Sequence, residues 1–89
     1  MMTEKDYNDF WKDMKERKII KRNFEYLKGF EIGDVGHWGV LVALYELTPE
    51  YVEEHGLCFK FRCDWKHIDE EGKVYYNSHA LSYCKAEVA

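Results

Sequence analysis

The sequence contains one proline, an odd count of three cysteines, and no apolar stretch longer than 38–45. A membrane-spanning helix needs roughly 20 apolar residues, so no such span is predicted. The opening residues MMTEKDYNDF are too charged for a secretory signal, and the expected compartment is the cytoplasm. Thiols stay reduced there, so three cysteines do not imply a disulfide framework. The chain also lacks CxxC pairs, GxSxG, HExxH and any glycine-rich phosphate loop, leaving no signature of an enzyme. From 29 to 57 there is no lysine or arginine, while six acidic residues fall in that segment. With a net charge of −4, this distribution disfavours a general nucleic-acid binder, which usually carries a net basic domain.

Aromatics, in contrast, are abundant: seven Tyr, five Phe and three Trp among 89 residues. Apolar residues make up 46% of the chain, enough for one core, and the length accommodates one domain. Residues 3 to about 20 read as an amphipathic helix with Thr3 as N-cap and Asp6 at the third helical position. Tyr7, Phe10, Trp11, Met14 and Lys18 share its inward stripe by i, i+3, i+4 spacing. From Phe24 to Ile32 the period changes to two, as in a strand, with Gly29 marking a bulge or close approach. GDVG at 33–36 is a turn signal, and 37–47 reads as a central strand, apolar on both faces. Thr48-Pro49 followed by EYVEEHG describes a short capped helix closed by Gly56.

The last third reads as a hairpin. Asp69 to Lys73 suits a three-residue loop with Gly72 in the left-handed conformation, which places Cys63 opposite His79 and Phe61 opposite Leu81. Phe59, Phe61, Cys63, Trp65 and His67 then form a buried face, and Cys58, Lys60, Arg62, Asp64 and Lys66 a wet one. The fold class that follows is α+β: an N-terminal helix packed on a four-stranded antiparallel sheet, with a short helix between two hairpins.

Cysteine and histidine raise the question of a metal. On a strand, Cys58 and Cys63 point to opposite faces roughly 16 Å apart, and His67 lies roughly 13 Å along from Cys63, so tetrahedral zinc geometry is not met. No metal or cofactor is expected, and a Cys/His metal-binding protein is the least favoured of the alternative functions. Cys63 and His79 also match a thiol beside its base, but a small buried thiol packed next to an imidazole accounts for the pair. Cys58 and Cys84 face each other in the same register and could pair only under oxidation.

Two surface sets remain. The first joins the acidic middle of the chain to its aromatics: Trp38, Tyr45, Glu46, Glu50, Tyr51, Glu53 and Glu54. Aromatics on both sides of one strand cannot all enter a single core, and exposed aromatics carry interface energy. Spaced carboxylates can also occupy a groove built for phosphates. This set predicts a small non-enzymatic protein that acts by protein–protein occlusion. It would be an inhibitor or adaptor of a larger machine, of the kind with which phage and mobile elements block host nucleic-acid enzymes or defence systems, as anti-CRISPR proteins do. A protein partner is expected, a second copy of the chain being one form of it. The alternative set, Lys15, Arg17, Lys18, Lys21, Arg22, Lys60, Arg62 and Lys66, predicts a nucleic-acid-binding module, since bases interleaved with aromatics hold single strands. Against it, cations complement a helix C-terminus and keep a sheet face soluble.

Overall fold

A computed structural model describes residues 1–81 of the chain. Its order is β1 (Met2–Thr3), α1 (Glu4–Glu16), β2 (Ile20–Phe24), β3 (Tyr26–Leu27), β4 (Phe30–Glu31), β5 (Val35–Gly36), β6 (Gly39–Leu47), α2 (Pro49–Glu54), β7 (Phe61–Ile68) and β8 (Val74–Ala80). The fold is α+β, and the sheet is antiparallel in the order β1-β8-β7-β6-β2, with β5 also paired to β6. The four-stranded expectation is therefore short: two residues before α1 add an edge strand, and β5 extends the side that β2 occupies.

Local chemistry sets the helix ends. The Asp6 amide donates to Thr3 Oγ1 at 3.2 Å and the Thr3 amide to Asp6 Oδ2 at 3.3 Å, a reciprocal cap that satisfies two otherwise orphaned donors. The helix stops at Glu16, earlier than its apolar spacing predicts, because Lys18 takes a left-handed φ of 54° and redirects the chain into β2. Lys18 is consequently exposed, and Ile19 takes the inward place expected of it. In α2, Thr48 caps the first turn, Pro49 occupies the first position, and Gly56 follows with φ of 59°, as its sequence predicts.

A continuous strand from Phe24 to Ile32 does not form. Lys28 (φ 50°) and Gly29 (φ 89°) are both left-handed, so the chain turns back on itself and β3 pairs with β4 apart from the main sheet. The β7–β8 hairpin has the expected register, with Cys63 opposite His79 and Trp65 opposite Asn77. Asp69 Oδ1 accepts from the amides of Glu71 and Lys73 at 2.9 Å each, and Gly72 closes the loop at φ 84°. The Cys58–Cys84 and Phe59–Tyr83 pairings lie outside the described residues.

β6 is central, as its apolar composition predicts, but it does not alternate regularly. A bulge between Leu41 and Ala43 makes Leu41 face the same side as Leu44, opposite Trp65 and Cys63 respectively. The larger correction concerns which face the helix covers. α1 packs on the side carrying Asp64, Arg62, Tyr45 and Ser78: Trp11 is edge-on to Tyr45 at 5.0 Å, and the Arg62 guanidinium lies 5.5 Å over the Phe10 ring. The side carrying Cys63 and Trp65 is covered instead by the β3–β4 hairpin, whose Phe30 meets Trp65 edge-on at 6.0 Å. The supposed wet face is thus a second interior, though Lys60 and Cys58 are exposed there; on the other side His67 is exposed rather than buried.

Candidate functional site

The acidic and aromatic set does not converge. Tyr45 and Glu46 are 0% and 3% exposed, so neither offers a surface to a partner. Tyr45 is held in the core beneath α1, and Glu46 accepts from Arg22 Nε at 2.7 Å with Lys21 Nζ at 3.9 Å. Its hydrogen bond from Arg22 holds the Glu46 carboxyl below the usual range. Glu50, Glu53 and Glu54 are exposed on α2, and Tyr51, half-buried, stacks on His55 at 4.1 Å. Trp38 sits before β6 and α2 after it. The nine residues between them span roughly 30 Å of extended chain, so Trp38 and the acidic helix occupy opposite ends of the molecule.

Where the wet face was expected, a buried polar network lies between α1 and the sheet. Asp64 is fully buried. Its Oδ2 accepts from the Tyr7 hydroxyl at 2.7 Å, and its Oδ1 from the Tyr45 hydroxyl at 2.9 Å and Ser78 Oγ at 2.6 Å. Arg62 Nη2 donates to Ser78 Oγ at 2.7 Å, placing a cation one hydroxyl away from the carboxylate. Burial holds the Asp64 carboxyl above the usual range, with the three hydroxyl hydrogen bonds and Arg62 opposing. Burial, and then the charge of Asp64, push both tyrosines well up, so they remain donors. The network accounts for the position of α1, because Tyr7 is the helix residue that reaches across to the sheet.

The network borders a groove of about 690 Å³ between α1 and the β2–β6 side of the sheet. Val42 and Ala43, at the bulge, form its floor on the sheet; Tyr7 and Trp11 line it from α1, and Tyr76, Ile32, Phe24 and Leu44 complete the lining. Asn8 and Asn23 contribute amides, and Lys12 and Lys15 line it from the helix. An adjoining groove of about 440 Å³ shares Trp11, Lys15 and Asn23 and adds Lys18, Lys21 and Arg22. The basic alternative set is thereby divided. Lys15, Lys18, Lys21 and Arg22 meet along these grooves, whereas Arg17 pairs with Asp13 at 3.2 Å, Arg62 belongs to the buried network, and Lys60 lies over Phe61 at 5.2 Å. Lys66 is half-buried opposite Val40 and Tyr76.

Beyond the groove, four exposed large apolar side chains fall between residues 32 and 40, while Met1, Tyr26 and Ile68 are exposed elsewhere. Ile32, Val35, Trp38 and Val40 are 38%, 82%, 44% and 40% exposed, and Val35 and Val40 are cross-strand partners on the α1 side of the sheet. Sequence reasoning singled out Trp38 here but missed Val35, Val40 and Lys12. The signal for Lys12 was present, since it precedes Lys15 by one helical step of three. For the valines it was not, because an apolar run cannot reveal which of its members lack a covering element.

On the opposite face, Cys63 Sγ donates to the His79 carbonyl at 3.7 Å rather than to its ring, and Trp38 lies over the imidazole at 4.5 Å. Burial holds His79 below its ordinary value. No cluster of three metal-ligating side chains occurs among the described residues, and no helix among them is long and apolar enough to cross a membrane. No protein family, curated protein or solved structure matches the chain.

Proposed function

We propose that this chain is a non-enzymatic binding protein that acts by occluding a surface of a protein partner, and that it does so through the β5–β6 hairpin and the groove beside it. The observation that carries this reading is the pair of exposed cross-strand partners Val35 and Val40 on the α1 side of the β5–β6 hairpin, with exposed Ile32 just before it at the groove. Contiguous exposed apolar side chains lower the free energy of association when a partner covers them, and scattered ones do not. The groove continues that surface through Ile32 and Val42. Trp38 lies on the other face of the sheet, its ring 4.5 Å from the His79 imidazole, and is not part of this patch.

The test is affinity capture from the native host by the wild-type chain and by a Val35→Asp/Val40→Asp double variant, with mass-spectrometric identification. Both valines are exposed, so circular dichroism of the variant should match wild type. A partner retained by wild type and lost by the variant supports the reading. Equal capture by both would exclude the hairpin as the binding surface.

A further inference from the structure

We infer that the partner segment entering the groove between α1 and β6 is a peptide that presents carboxylates beside aliphatic side chains; the inference rests on the protein-binding reading above. The chain has 17 acidic residues and a net charge of −4, yet no acidic residue lines the 690 Å³ groove or the smaller one that adjoins it. The bases of α1 and of the turn that follows it differ in a telling way. Lys5 and Arg17 pair with Asp9 and Asp13 on the helix itself, whereas Lys12, Lys15 and Lys18 make no ion pair among the described residues. Lys12 and Lys15 are one helical step apart, so both ammonium groups reach the same side of the helix, over the groove. A local positive field on an acidic molecule selects an anionic partner and steers its approach.

The groove itself separates an acidic peptide from the other common polyanion, a single-stranded nucleic acid. Single strands are held by open aromatic faces on which bases stack. Here the rings on the wall are packed on one another: Tyr7 lies parallel to Tyr76 at 3.9 Å, and Trp11 is edge-on to both Tyr45 and Tyr7. The floor offers the methyl groups of Val42 and Ala43 instead, and Asn8 and Asn23 offer amide donors and acceptors of the kind a peptide backbone uses. An acidic and aliphatic segment matches the lysines and the floor together, and its apolar side chains would continue onto Val35 and Val40.

The experiment is selection of a random peptide library displayed on phage against the immobilised protein, followed by titration of the enriched peptides. The titrations use wild type, Lys12→Glu/Lys15→Glu and Val35→Asp/Val40→Asp, each with its thermal midpoint measured, and oligo-dT serves as a parallel probe. The expected result is enrichment of sequences carrying Asp or Glu beside Leu, Ile or Val. Their affinity should fall by roughly tenfold or more on charge reversal and weaken with added salt, as interactions between exposed charges do. Peptides without acids, or affinity insensitive to Lys12→Glu/Lys15→Glu but lost in Val35→Asp/Val40→Asp, would overturn the acidic partner and leave the hairpin reading standing. Peptide binding unaffected by either double variant would overturn both. No enrichment, or oligo-dT binding lost on charge reversal without peptide binding, would also overturn the inference.

Discussion

On the α1 side of the sheet, the centre of the contact is a carboxylate: Asp64 accepts from Tyr7, Tyr45 and Ser78, and the helix is anchored through the first of these. On the opposite side, the residues before and after Asp64 are Cys63 and Trp65, packed with Phe30, Leu41 and Leu44 in an apolar cluster. Three consecutive residues of β7 are therefore buried, two in hydrocarbon and one in hydrogen bonds. Burial on the first side depends on the hydrogen bonds that the carboxylate accepts, with Arg62 Nε left buried without a partner among the described residues, whereas burial on the second depends on volume and area. The first is directional and fails abruptly; the second yields in proportion to what is removed.

Substitutions on the two sides should separate these behaviours. Asp64→Ala removes the shared acceptor of three hydroxyls in a buried site, and a loss of about 3–5 kcal/mol is expected in denaturant unfolding. Asp64→Asn keeps the shape and one acceptor and should cost only about 1 kcal/mol. An Asp64→Ala variant as stable as wild type would show that the network does not anchor α1. Leu44→Ala opposes it on the apolar side and should cost about 2–4 kcal/mol through the cavity left behind, by the same measurement.

The two sides should also respond to pH with opposite sign. Asp64 has a raised folded value, so the stability it contributes is fully present below its unfolded value near 4 and is lost as pH rises through the folded one. His79 has a lowered folded value, so its contribution is fully present above about 6.5 and is lost as pH falls through the folded one. Denaturant midpoints measured across pH should lose the first slope in Asp64→Asn and the second in His79→Gln. Unchanged slopes in either variant would remove that group from the account. The smallest effect is expected from Glu50→Ala/Glu53→Ala/Glu54→Ala on exposed α2. Partner capture should be unaltered and stability should move by no more than about 1 kcal/mol in total.

The same contrast explains how much could be read in advance. The cap at Thr3 and Asp6, the Thr48-Pro49 start of α2 and the Asp69–Lys73 turn were all legible, because each is decided by residues within five positions of one another. Asp64 was misplaced because its donors lie 57, 19 and 14 residues away, and a polar residue with unknown partners reads as solvated. One clue was available: the hairpin register that put Cys63 opposite His79 also put Asp64 opposite Ser78, a hydrogen-bonding cross-strand pair. Of the exposed apolar side chains, Trp38 was legible as an aromatic in excess of what one core can hold. The groove was not, since its lining comes from α1, β2, β6 and β8, residues far apart in the chain.

The bulge at Val42 has a meaning for how this chain tolerates insertion and deletion. Leu41 opposite Trp65, Ala43 opposite Asp64 and Leu44 opposite Cys63 already form a regular ladder if the residue between Leu41 and Ala43 is skipped. Val42 is in this sense supernumerary. Losing that one codon would leave each of these pairs on its present face, while losing a codon at 44 or 45 would turn part of the strand over. A chain shortened by Val42 should therefore keep its fold and lose one of the two residues on the floor of its groove, which makes a single deletion a clean division between what this sequence needs to fold and what it carries in addition.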